Sequence, residues 1–187
     1  MLKQQSIKNL NVAILAGSFL LVLTSVQTIT NAQAVILASA KNSTLNAGYV
    51  PGFTGNGYTS LAFVYLVFTF ANFLAPPVVS FFGPKMNLFF GSISYAVYVL
   101  QFAFPNDALL YGSSAFLGFG AAFFWVAQGT FLTLNSDSLT MERNTGLFWA
   151  VLQSSQLAGN LYIYLEFQDM DYIDSATRFK VSGIEPK

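Results

Sequence analysis

Residues 146–167 read GLFWAVLQSSQLAGNLYIYLEF. A membrane-crossing helix takes roughly 20 mostly apolar residues, and this stretch is long and apolar enough. Its middle nevertheless carries Gln153, Ser154, Ser155, Gln156 and Asn160. In an α-helix, Gln153, Gln156 and Asn160 stand at i, i+3 and i+7 and share one face. Phe148, Val151 and Leu152 leave the other faces apolar. The segment therefore reads as a one-sided membrane helix whose amide face avoids lipid and turns to other helices or to water. Hydrogen bonds between membrane helices are worth about 1–2 kcal/mol or less, a modest return for three amides in one stripe. Polar stripes inside membranes also mark solute routes, although that rule is strongest for ionisable groups. Gln153, Gln156 and Asn160 are candidate cavity-lining residues, against the alternative of interhelical glue. Gln128, three residues after Trp125, is a fourth candidate.

The rest of the chain fits a membrane protein. Of 187 residues, 54% are hydrophobic and only 9% charged, and mean hydropathy is +0.54. A soluble domain carries about 25% charged residues, so this chain cannot cover a core with a solvated surface. Net charge is zero, which gives nucleic acid no electrostatic footprint. There is no Cys and no His, which excludes disulfides, thiol chemistry, Cys/His zinc sites and His-based triads. Phosphate-binding loops, paired catalytic carboxylates and nucleophile elbows are absent from the sequence as well. The expectation is a protein that is no enzyme and holds no cofactor or metal.

Charges punctuate the chain. Between them lie five apolar stretches: Val12–Thr30, Tyr58–Phe82, Met86–Phe104, Ala108–Leu132 and Leu147–Leu165. Each is expected to be helical, because open backbone cannot face lipid. Residues 166–187 read as a non-membrane tail. The whole chain is thus expected to be one all-α, polytopic membrane bundle with the bilayer as its first partner. Lys3, Lys8, Lys85 and Arg143 fall on one side of such a chain, so the positive-inside rule puts the N-terminus in the cytoplasm. The sequon Asn42-Ser43-Thr44 then lies in the first outer loop, and Asn42 is a candidate glycosylation site. A cleaved signal peptide ending near Ala38-Ser39-Ala40 is the alternative for the first span.

Three further features bear on packing. Gln27 and Asn31, four apart, form either a polar helix end or the mouth of a cavity, and the helix either projects past the membrane or breaks near Asn31. Pro76 and Pro77 are expected to kink or stop the second span, since proline donates no backbone hydrogen bond. Ser114, Gly118 and Ala122, spaced by four, form a stripe that lets helix backbones approach closely. Asp137, Glu142 and Arg143 read as a solvated inner loop.

The runs WVAQGTFLTLNSD (Trp125–Asp137) and RNTGLFWAVLQSSQLAGNLYIY (Arg143–Tyr164) closely resemble the UNC-93-like family of the major facilitator superfamily. The segment Asn56–Lys85 fits it too, and the resemblance looks nearest to the major-facilitator-domain-containing branch. It implies two six-helix bundles around a midplane cavity, with inverted repeats inside each half. The five spans would be the first five helices of that fold. The superfamily's pattern Gly-x-x-x-Asp-Arg-x-Gly-Arg-Lys between helices two and three is replaced here by PPVVSFFGPK. Gly83 and Lys85 are a remnant of that inner-loop motif, and its charged part is absent. The resemblance implies a transporter-like carrier or, since several UNC-93-type proteins accompany channels or receptors, a non-transporting accessory subunit. With one six-helix half incomplete, a truncated form that does not transport alone is expected, in need of another membrane protein or the missing half.

Overall fold

A computed structural model of the chain describes residues 2–41 and 49–167. Five helices run through them: α1 (Leu2–Lys41), α2 (Gly57–Phe82), α3 (Pro84–Leu100), α4 (Asp107–Leu134) and α5 (Met141–Phe167), with a 3-10 turn Gln101–Ala103 extending α3. The all-α bundle is as the apolar spans required. The Asn42 sequon and the tail after residue 167 lie outside the described residues.

Local chemistry sets most boundaries. The Asn56 side chain accepts from the Tyr58 and Thr59 amides at 2.8 and 3.3 Å and starts α2. Asn106 caps α4 through the Leu109 amide at 3.2 Å. These side chains satisfy N–H groups that a helix start leaves without partners. Gly83 separates α2 from α3 at φ +78°, a conformation open to glycine and costly for other residues. Its amide closes α2 on the Val79 carbonyl at 2.9 Å, and Pro84 then opens α3. The prolines Pro76 and Pro77 do not stop α2, which continues to Phe82. Both are exposed, while Ala75 and Val79 are buried, so the rings sit on the outer face and leave the packed face intact.

α1 does not break at Asn31. Its 40 residues span about 60 Å, twice the ~30 Å hydrocarbon core, so the helix projects beyond the membrane. Among the described residues, four helices are long and apolar enough to cross a membrane: α1, α2, α3 with its 3-10 turn, and α4. α5 is not one of them, although its 27 residues reach about 40 Å. The amides and hydroxyls between Gln153 and Asn160 account for the difference.

α4 is the hub. It packs along α2 and α3, while α1 packs chiefly along α5. The small-residue stripe does what its spacing suggested. A Cβ on Gly118 would collide with the Val64 carbonyl oxygen and reach 3.0 Å from the Phe68 amide nitrogen. Nearby, the Ser60 and Ser114 hydroxyls meet at 2.7 Å, and buried Ala122 packs with Ala71 and Ala75. On the other flank, Gly91 lies beneath Phe124 and Gly120 against Ser94. Between α1 and α5 the close approach is Gly159, whose Cβ would stand 3.0 Å from the Thr28 hydroxyl. The ring of Phe19 ties the two groups together. It stacks on Phe124 at 4.1 Å and meets Trp125 and Phe148 edge-on at 5.5 and 5.1 Å.

Polar residues gather at both ends. At the end holding the N-terminus, Arg143 donates to Asn9 at 2.9 Å and to Asn144, which itself donates to Ser136 at 3.0 Å. Asn11 donates to Asn135 at 2.7 Å. Asp137 caps the turn that leads into α5, accepting from the Leu139 and Thr140 amides at 3.1 and 3.0 Å and from the Thr140 hydroxyl at 2.8 Å. The expected solvated loop is therefore in part a helix start: Glu142 and Arg143 belong to the first turn of α5. At the opposite end, Asp107 accepts from the Thr54 amide at 3.0 Å, the Gly55 amide at 2.8 Å and the Thr54 hydroxyl, which pins the α2 entry loop onto α4.

Candidate functional site

Where α1 stands off from α2, a cavity of about 330 Å³ opens between α1 and the group α2, α3 and α4. α1 presents Leu23, Val26, Gln27, Thr30 and Asn31 to it, spaced as one helix face. α2 presents Val64, Tyr65 and Phe68, and α3 and α4 add Tyr95, Tyr98, Ala121 and Trp125. The aromatic wall is held in place by its polar tips. The Trp125 indole N–H donates to the Tyr95 hydroxyl at 3.1 Å, and the Tyr98 hydroxyl donates to buried Gln33 at 3.2 Å. Buried polar tips need such partners, and once paired they fix the planes of the rings. Among the described residues, no Asp, Glu, Lys or Arg lines the cavity.

The amides predicted from α5 are distributed differently. Gln153, Gln156 and Asn160 are exposed on the described bundle. The buried stripe of α5 is Phe148, Leu152, Ser155 and Gly159, facing α1. Polarity pointed to the amide face as the inward one. Size decides instead: Ser155 and Gly159 allow the backbone to approach α1, and Phe148 fills the space beside Phe19. Phe148 and Leu152, placed on apolar faces by the sequence, sit in the packed interior at 0% and 3% exposure.

α5 nonetheless reaches the cavity at one remove. Asn160 accepts from the Asn31 side-chain amide at 2.6 Å, and Trp149 stacks on Trp125 at 6.1 Å. It thereby braces one amide and one aromatic ring of the lining. Gln128 is buried on α4, one turn past Trp125, but is not part of this lining. Gly83 and Lys85 lie at the α2–α3 junction. There Lys85 borders a second cavity of about 380 Å³ between α1, α3 and α4, lined mainly by apolar residues such as Leu15, Phe89 and Phe131.

The residues that sequence reasoning missed are Tyr95 and Tyr98. Their signal was available: two tyrosines at i and i+3 in a span with few other polar groups. Gln27 and Asn31 were seen, and they stand on the cavity, with Thr30 between them.

A family model described as "Ion channel regulatory protein UNC-93" matches residues 54–184. The chain is similar to UNC93-like protein MFSD11 of Xenopus laevis, 42% identical over 164 residues, which covers 88% of this chain and 35% of that protein. The same-named protein of Xenopus tropicalis is 39% identical over 174 residues, covering 93% and 37%. UNC93-like protein 3 of Arabidopsis thaliana is 33% identical over 115 residues, covering 56% and 25%. The chain thus spans little more than a third of the length of the first two relatives. No solved structure matches it. Helices fit to cross a membrane, a family model that covers most of the chain and this level of identity lead to one conclusion: the chain is an integral membrane protein that belongs to the UNC-93 family.

Proposed function

We propose that this chain forms part of a carrier-like membrane bundle that holds a solute in the cavity between α1 and α2–α4. One observation carries the reading: Gln27, Thr30 and Asn31 turn a polar face of a membrane-spanning helix into a cavity walled by fixed aromatic rings. Amides set against hydrocarbon are costly, so a polar face lining a cleft between helices is best matched by a solute or water. In this reading α5 also crosses the bilayer, covered by α1 on its Phe148–Gly159 stripe, and the N-terminus is cytoplasmic. The experiment is solute flux into liposomes containing the full-length protein. Flux that Gln27→Leu abolishes supports a carrier, and absence of flux for every solute tried counts against it.

A second reading is favoured by the description of the family model as ion-channel regulatory. The exposed Gln153–Gln156 stripe of α5 would then meet another membrane protein. Co-purification of a channel subunit, lost on Gln153→Leu with Gln156→Leu and unaffected by Gln27→Leu, would select it over the carrier.

A further inference from the structure

We infer that the 330 Å³ cavity takes an uncharged, flat molecule with a hydrogen-bonding edge, and that Gln27 and Asn31 read that edge. The inference rests on the cavity being the solute site proposed above and adds the class of solute.

First, among the described residues the lining carries no carboxylate, ammonium or guanidinium group. A full charge entering a membrane-spanning bundle must be paired or hydrogen-bonded, and its desolvation exceeds what one aromatic face returns to a cation. An anion fares worse still, facing the negative faces of several rings. Second, the walls are made of rings whose orientations are fixed by polar tips. The Trp125 indole is held from one side by the Tyr95 hydroxyl and from the other by Trp149. Such surfaces favour a planar partner that stacks or meets them edge-on. Third, the α1 side is polar at three positions on one face, Gln27, Thr30 and Asn31. The Asn31 nitrogen is committed to Asn160, which orients its carbonyl oxygen as a remaining acceptor. Gln27 supplies both donor and acceptor. An acyl chain would leave all of these unmatched against hydrocarbon, which disfavours lipid as the occupant.

The probe is a matched set sharing one ring: indole-3-acetamide (neutral), indole-3-acetate (anion) and tryptamine (cation). Calorimetric titration into the chain in lipid nanodiscs, repeated with the full-length protein, reads their affinities. The neutral amide is expected to bind at least tenfold tighter than either charged congener. Gln27→Leu is expected to weaken it at least fivefold with melting temperature unchanged, whereas Gln153→Leu, outside the cavity, leaves it unchanged. Equal or tighter binding of a charged congener, no binding of the amide, or displacement of the amide by decane overturns the inference. The same set in the flux assay separates it from the carrier reading. Amide binding without flux removes the carrier and keeps the ligand class. Flux of only a charged member keeps the carrier and removes the class.

Discussion

α4 and α5 are almost equal in length, 28 and 27 residues, yet the bundle uses them in opposite ways. α4 buries glycines, alanines and serines on two flanks and lets α2 and α3 close upon it. α5 buries Asn144 at its start but turns Gln153, Gln156 and Asn160 to the exposed side of the described bundle, burying a narrow stripe chiefly against α1. The comparison teaches that size sets the inward face of a membrane helix more firmly than polarity. Lipid is already apolar, so helices gain little by hiding apolar groups and much by approaching closely. The serines sharpen the contrast. Ser113 and Ser114 on α4 both donate back to the Leu110 carbonyl, at 3.1 and 2.6 Å. Ser155 on α5 is equally buried, and among the described residues its hydroxyl has no partner.

Substitutions break or sharpen this contrast, and unfolding in bicelles measures them. The largest loss is expected from Gly118→Leu, which must force backbone from backbone where the Val64 carbonyl stands. The cost should exceed the ~1–3 kcal/mol of ordinary overpacking, because no side chain can swing aside. A loss under 1 kcal/mol would mean that α2 and α4 do not meet at Gly118. Next comes Phe148→Ala, which empties the space beside Phe19. In lipid the transfer component largely falls away and the cavity component remains, so the loss should lie toward the lower end of ~3–5 kcal/mol. Unchanged stability would show that α5 is not seated on α1 by this ring.

Smaller effects test the polar groups. Ser114→Ala removes the partner of the buried Ser60 hydroxyl and should destabilise by about 1 kcal/mol. Ser155→Ala should be neutral or stabilising, since it deletes a hydroxyl left unpaired. The opposite order of these two would overturn the contrast between the helices. The least effect concerns pH. The Thr140 hydroxyl, with the Leu139 and Thr140 amides and the Lys8 charge, holds the Asp137 carboxyl below its usual range, against a smaller opposing effect of desolvation. A carboxyl depressed in the folded state stabilises above its unfolded pKa of about 3.9 and loses that contribution as pH falls through the folded value. Wild type should therefore lose a small increment of stability below about pH 4 that Asp137→Asn does not lose. Parallel profiles for the two would remove Asp137 as a cap of the turn that leads into α5.

Much of the fold was legible. The charge-free apolar stretches Tyr58–Phe82, Met86–Phe104 and Ala108–Leu132 lie along α2, α3 with its 3-10 turn, and α4, because unbroken hydropathy is a local signal. The Ser114–Gly118–Ala122 stripe was legible for the same reason: a helix period turns spacing into a face. The ends of α1 were not, since nothing in the sequence tells where a helix leaves the membrane while staying helical. The candidate site was half legible. Gln27 and Asn31 could be paired by spacing, but their juxtaposition with Tyr95, Tyr98 and Trp125 depends on how helices far apart in sequence assemble. Which face of α5 meets α1 depends on Ser155 and Gly159, small residues whose role shows only once α1 is packed against them.

The pairing of α1 with α5 also has a consequence in time. Of the five helices α1 is made first and its main neighbour last, with about 100 residues between Lys41 and Met141. At roughly 5–20 residues per second, the ribosome takes on the order of 5–20 s to cover that distance. Throughout that interval the Phe19, Thr24 and Thr28 side of α1 waits in the membrane without the helix that will cover it. α5, the least apolar of the helices, arrives to find that docking surface already in place. Biogenesis thus asks α1 to remain unpartnered and soluble in lipid, a role its serines and threonines suit by bonding to their own helix: Ser18 to Ile14, Thr24 to Leu20, Ser25 to Leu21 and Thr28 to Thr24.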